Sequence, residues 1–232
     1  MTSKAVAVVL ARMTSNRLPG KVLRPLCGKP VLEYLLERLE VADCVDRFVV
    51  ATSATAADDN IAEYCATREV PCFRGSLDDV AGRTLGAANS LGAEFFFRAN
   101  ADSPLLAIDL FEDALAQLDR DPADLVTNVN PRTHPPGASV ELIRTAALER
   151  ACQRMSHEER EHVTLHFYRN SAHFQLAPLE TSRMPHTDPN VRLVVDDATD
   201  FQRMTTLIEM MDRPHWEYDT EEVIALAREA LA

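Results

Sequence analysis

The first 32 residues of this 232-residue chain contain no aspartate or glutamate. Lys4, Arg12, Arg17, Lys21, Arg24 and Lys29 all precede the first carboxylate, Glu33. That segment carries +6 and the remaining 200 residues carry −18, within a formal net charge of −12. A hydrophobic core has no use for such a split. Long apolar runs are also missing: none approaches the ~18 residues of a membrane-spanning helix. The apolar stretch 5–11 is short and runs into Arg12, which is not the pattern of a signal peptide. The five cysteines are odd in number and form no CxxC pair, so reduced thiols in a cytoplasmic protein are expected. Glycine is scarce, with seven residues and no GxGxxG fingerprint. Gly28-Lys29 is followed by Pro30, which excludes a P-loop, and no Gly-x-Ser-x-Gly elbow suggests a hydrolase. The acidic total argues against a broad nucleic-acid surface.

What is present is an ordinary globular composition, 46% hydrophobic and 26% charged. Short apolar runs alternate with helical periodicity, which predicts an α/β fold with a mostly parallel sheet. Strands are expected at 5–10, 47–51, 70–73, 94–98, 125–129, 138–143, 173–178 and 191–195. Helices are expected at 30–41, 57–68, 78–91, 107–118, 145–170, 199–211 and 220–232, the last opening on Thr220 as cap. The Pro-rich 131–137 breaks the alternation. The domain organisation predicted is one domain over 1–232, with an insert at about 131–190.

The loop after the first strand holds Arg12, Arg17 and Lys21, together with Ser15. Ligands of open α/β sheets bind beyond the carboxyl ends of strands. Three cations, a hydroxyl and backbone N–H groups at such an end suit one small polyanion such as a triphosphate. The same charges would also suit a solvated basic loop. Asp102 and Asp196 each follow an apolar run, and two strand-end acids can converge on one Mg²⁺, which takes one or two carboxylates with phosphates and waters. A lone aspartate there is more often a turn or helix cap. Asp197 is an adjacent alternative that points away from Asp196 in an extended segment.

The run Ala11-Arg12-x-x-Ser15-x-Arg17-Leu18-Pro19-Gly20-Lys21, with Gly28-Lys29-Pro30, resembles the signature of CTP-dependent sugar-acid cytidylyltransferases. That superfamily includes the 3-deoxy-manno-octulosonate and acylneuraminate cytidylyltransferases. The resemblance is greatest to the branch called spore coat polysaccharide biosynthesis protein F. Phe73-Arg74-Gly75-Ser76, Asp102-x-Pro104-Leu105, Arg160-Glu161-His162-Val163-Thr164 and Arg192-Leu193-x-Val195-Asp196 extend it in order along nearly the whole chain. It implies a Rossmann-like, glycosyltransferase-A-like nucleotidyltransferase with a small inserted dimerisation or substrate region, working as a homodimer. It implies Mg²⁺ on Asp102 and Asp196, and transfer of CMP from CTP with release of pyrophosphate. Arg12, Arg17, Lys21 and Asp102 would be catalytic. Leu10, Ala11, Arg12, Ser15, Lys21, Arg74, Arg83 and Asn100 would bind the nucleotide, Asn100 at the cytosine.

Arg132, His134, Glu141, Arg160 and His162 are expected to face the acceptor, a sugar acid or a phosphonate-like molecule. The branch commonly carries Gly-x-Asp-x-Glu where this chain reads Gly137-Ala138-Ser139-Val140-Glu141, so Ser139 replaces the acid. Arg160 and His162 match the family motif as substrate contacts. His162 and His166 fall at i,i+4 spacing on the expected helix 145–170, but the HExxH zinc pattern is missed by one residue. Trp216 reads as packing or a dimer contact. A nucleotide-sugar-dependent glycosyltransferase would share strand-end carboxylates but lack the triphosphate loop. A non-catalytic relative would have lost the acid pair.

Overall fold

The computed structural model describes residues 5–183 and 188–230. Lys4 and the last two residues of the expected C-terminal helix lie outside them. The run AVAVVL forms β1 (Ala5–Leu10), and its side chains divide between two cores. Ala7 and Val9 join one cluster and Val6 and Val8 the other, all at most 5% exposed. A strand covered on both faces reads as a continuous apolar run for this reason. A two-strand ribbon follows, β2 (Pro25–Leu26) with β3 (Lys29–Pro30), leading into α1 (Val31–Glu40). The Leu32, Leu35, Leu36 and Leu39 stripe buries α1 against the first core.

The chain continues through β4 (Val45–Ser53), α2 (Asp59–Thr67), β5 (Cys72–Gly75), α3 (Val80–Ser90), β6 (Phe95–Asn100) and α4 (Asp109–Arg120). β7 (Leu125–Thr127), β8 (Glu141–Arg144), α5 (Thr145–Cys152), α6 (His157–Glu161), α7 (Leu165–Arg169) and β9 (Leu176–Pro178) come next, before α8 (Ala198–Glu209) and α9 (Thr220–Glu229). Seven strands form one sheet in the order β5-β4-β1-β6-β8-β7-β9. β5, β4, β1 and β6 run parallel, β8 is antiparallel to both β6 and β7, and β9 is parallel to β7. The mixed α/β fold with a mostly parallel central sheet is the one expected.

Three local expectations are corrected. Residues 191–195 form no named strand. Val191, Leu193 and Val195 are buried at alternate positions, but the segment docks through Leu193 N–H to the Pro136 carbonyl (2.7 Å) and Val195 N–H to the Asp102 carbonyl (2.8 Å). Period-two burial therefore arose without a ladder. The single helix over 145–170 is three short ones, because Ser156 starts α6 with a capping box and His162 ends it at φ −116°, ψ 81°. The C-terminal helix is capped by Asp219, with Glu222 completing a capping box, while the Thr220 backbone N–H bonds Asp109.

The C-terminal region is tied to α1. Arg38 donates to the carbonyls of Leu106, His215 and Tyr218, and Glu37 meets His215 Nε2 at 2.7 Å. His215 is 5% exposed, and burial pushes its pKa down to about 4 against the opposing pull of Glu37. Below about 6.5 the unfolded chain takes up a proton that the folded chain refuses until about 4. Stability should therefore fall by up to about 3 kcal/mol across that window. Urea unfolding at pH 7, 5.5 and 4.5 should show a smaller pH slope in His215→Gln than in the wild type.

Candidate active site

The parallel half of the sheet delivers the site. β1 and β6 are neighbours in register, with Leu10 opposite Asn100, so the loops leaving both strands emerge side by side. The loop after β1 is held from behind by Asp58, a fully buried carboxylate that accepts from Met13 N–H (2.7 Å) and Ser53 N–H (3.2 Å). The sequence placed Asp58 only in the first turn of a helix. Its partners, 45 and five residues away, are set by tertiary structure. The Ser15 hydroxyl accepts from Leu18 N–H, and Gly20 N–H bonds the Met13 carbonyl. Gly20 lies at φ +70°, the left-handed conformation that glycine adopts without penalty, and turns the chain into a single 3₁₀ turn at Lys21–Leu23.

Lys21 is thereby directed inward. Its Nζ lies 2.6 Å from Asp102 Oδ2 and 3.1 Å from Asp196 Oδ1. Asp102 sits just past β6, and its carbonyl receives Val195 N–H, which sets Asp196 beside it. Asp196 Oδ2 is also 3.1 Å from both Arg17 and Arg192, and Arg192 holds Asp200. Burial works to raise the Asp196 carboxyl pKa, but the Lys21 hydrogen bond and the charges of Lys21, Arg17 and Arg192 outweigh it and hold it below its ordinary value. Asp197 points elsewhere: its carboxylate accepts from Thr199 and Asp200 N–H and caps α8.

These groups line a cleft of about 450 Å³. It brings together Leu10, Ala11, Arg12, Ser15, Arg17 and Lys21 with Arg83, Asn100, Asp102, His162 and Asp196 from the sequence expectations. Five expected residues do not line it. Arg74 is committed to the Ser53 and Thr55 carbonyls and to Asp59. Arg132 reaches the His134 carbonyl and Ser139. Arg160 braces the N-terminus of α3 through Asp79 (2.6 Å) and the Cys152 carbonyl. Glu141 is 1% exposed and accepts from Arg98 Nε (2.6 Å) and from Tyr168 Oη (2.7 Å). A buried charge survives only when paired in this way. His134, 1% exposed, makes a 3.0 Å contact through Nδ1 with the Thr133 hydroxyl.

Arg98 is the cleft residue that the expectations missed. Its signal was an arginine closing the otherwise apolar run EFFFR. Its guanidinium bonds Glu141 on one side and Asn100 Oδ1 (2.8 Å) on the other. Guanidinium has donors only, so the Asn100 carboxamide must turn its oxygen to Arg98 and keep its NH₂ for a ligand. Glu161, Val163 and Thr164, also in the cleft wall, flank His162 in the motif quoted above. His162 and His166 do not share a helix, and His166 Nδ1 faces Glu159 at 3.1 Å.

Among the described residues, no three His, Cys, Asp or Glu side chains converge as a metal cage. Asp102 and Asp196 nonetheless fit a hard divalent cation. They are an oxygen-only pair beside a phosphate-sized basic loop, and Asp102 Oδ1 is buried with no hydrogen-bond partner.

A basic loop thus lies beside two carboxylates, one just past β6 and one on the docked 191–196 segment, at the end of the parallel strands where ligands of such sheets bind. Comparison gives the class. The chain belongs to the cytidylyltransferase family, whose sequence model matches residues 6–226, and is thus a CTP-using nucleotidyltransferase. It is 32% identical over 210 residues to an uncharacterised protein of Methanocaldococcus jannaschii, covering 90% of this chain and 85% of that one. It is 28% identical over 208 residues to the spore coat polysaccharide biosynthesis protein SpsF of Bacillus subtilis, covering 87% and 85%. The structure of a cytidylyltransferase from Leptospira borgpetersenii superposes with a TM-score of 0.89 at 26% identity, covering 98% of this chain and 94% of that one.

The approach of Asp196 depends on Gly137. At φ +99°, a Cβ there would lie 2.2 Å from the Leu193 carbonyl carbon and oxygen, within the segment that carries Asp196. Gly137→Ala should lower stability by about 2 kcal/mol or more, through both left-handed strain and overpacking. Denaturant titration measures that loss, and calorimetry with CTP should show weakened binding in the protein that remains folded.

Proposed function

We propose that this enzyme transfers CMP from CTP to a sugar acid or a related acceptor, releasing pyrophosphate in an Mg²⁺-dependent reaction of surface polysaccharide or glycoconjugate biosynthesis. The observation that carries this reading is the Lys21 ammonium between Asp102 and Asp196, at the root of the basic loop. An acceptor oxygen attacks the α-phosphorus and the bond to the β-phosphate oxygen breaks. Negative charge builds on the leaving pyrophosphate. Lys21, Arg12 and Arg17 face that charge, the arginines as planar forks and the lysine as a point charge. Asp102 and Asp196 would hold Mg²⁺, which supplies neutralisation of phosphate charge. Leu10, Ala11 and Ser15 form the wall beside the nucleotide, and Asn100 presents its NH₂ to an acceptor atom of the bound ligands.

His162 is exposed at the rim, where an acceptor would enter. The substrate roles of Glu141 and Arg160 become indirect, because their charges are paired within the protein, whereas Arg132 is exposed outside the cleft lining. The Arg98–Glu141–Tyr168 network supports Asn100 from the sheet side. We also place the protein in the cytoplasm as a homodimer, with neither nucleic acid nor membrane as partner. Among the described residues, no helix is long and apolar enough to cross a membrane.

Pyrophosphate release should require CTP, fail with UTP and ATP, and depend on one member of a panel of ulosonic acids and phosphonates. Lys21→Ala should lose CTP binding, and Asp102→Ala should lose turnover by about 100-fold or more while keeping the circular dichroism of the folded protein. Full activity in Asp102→Ala, or CTP affinity unchanged in Lys21→Ala, overturns the assignment.

A further inference from the structure

The carboxylates around Asp196 are already ion-paired within the protein. Asp102, Asp196 and Asp200 face Lys21, Arg17 and Arg192, with at least one contact of 3.1 Å or less for each group. A divalent cation approaching these carboxylates meets three cations already seated on them. The position is contested as well as the charge. Lys21 Nζ contacts one oxygen of each acid at 2.6 and 3.1 Å, so the ammonium occupies the space between the two carboxylates that a cation shared by them would need. Asp196 has no idle oxygen, since Lys21 holds Oδ1 while Arg17 and Arg192 hold Oδ2. The Asp102 Oδ1 atom alone in this pair is without a partner.

Lys21 can leave. Its ammonium rides on a flexible four-carbon stem, and the cleft that it lines is also lined by Arg12 and Ser15. A triphosphate there brings several negative charges and accepts both Lys21 and Arg17. The carboxylate oxygens are then released together.

We propose that Lys21 gates the divalent-cation site, so that the cation binds Asp102 and Asp196 only in company with a nucleoside triphosphate. The inference rests on the reading of those two acids as the metal pair. It makes triphosphate and cation mutually dependent ligands, each strengthening the other by the same factor. Lys21 thus acts before the chemical step as well as during it, and an unloaded site does not collect metal ions.

The test uses Mn²⁺ as a spectroscopic substitute, followed by electron paramagnetic resonance and calorimetry. Wild-type protein with Mn²⁺ alone should show only weak binding. Addition of α,β-methylene CTP should raise Mn²⁺ affinity at the site, beyond that of the free nucleotide, by about tenfold or more, and Mn²⁺ should raise analogue affinity equally. Lys21→Met and the more polar Lys21→Gln should bind Mn²⁺ without nucleotide about tenfold more tightly than wild type, and Asp102→Asn in the same chain should remove that gain. Equal Mn²⁺ affinity with and without the analogue in wild type overturns the gate even if both variants fail to fold. Mn²⁺ binding insensitive to Asp102→Asn and Asp196→Asn in every state overturns the metal pair itself, and the gate with it.

Discussion

One buried ammonium organises this protein. Lys21 is 8% exposed and touches two carboxylates that lie 81 and 175 residues away in sequence. A charge taken that far out of water is tolerated only if its partners are already in place, and removing one partner of such a group is strongly destabilising. Everything that sets the partners is therefore constrained. β1 must lie beside β6 so that Lys21 and Asp102 leave neighbouring strand ends, and residues 191–196 must dock on the Asp102 carbonyl so that Asp196 arrives from the other side. Gly137 must stay without a Cβ for that docking to be close enough.

The strands of the parallel half were legible because burial on both faces turns them into apolar runs, and AVAVVL divides its side chains between two cores as such a run should. The segment 191–195 carried the same alternation but pairs with two isolated loop carbonyls, and hydrophobicity does not distinguish a ladder partner from a loop partner. Short helices were harder still. The Ser156–Glu159 capping box was present in the sequence, yet the continuous helical periodicity over 145–170 concealed it.

In the cleft, the basic loop was readable from charge and Asp102 from its strand end, while Asp196 arrives on a segment that alternates like a strand without being one. The fates of Arg74, Arg132 and Arg160 were not readable. Arg74 and Arg160 stand in motifs and Arg132 in the Pro-rich stretch, and what each faces depends on which carbonyl, hydroxyl or carboxylate reaches it in three dimensions. Asp58 shows the converse. Its service to the loop is invisible in sequence because both of its ligands are backbone N–H groups, and every residue but proline has one.

Among the cleft's arginines, Arg98 differs in kind from Arg12 and Arg17, and the difference bears on the charge split along the chain. Arg98 is neutralised by Glu141, which is sealed at 1% exposure, and no ligand can draw that carboxylate out. Its work is to hold a carboxamide in one orientation. Arg12 and Arg17, by contrast, have half-exposed side chains and meet acids that also lie open to the cleft. Exposed pairs are weak and exchange readily, so these cations are available to a phosphate at little cost. An acid-free N-terminal segment ensures this availability, because no neighbouring carboxylate on the same stretch can claim them. Their counter-charges come instead from Glu161 and Asp196, residues that the tertiary fold places at the cleft.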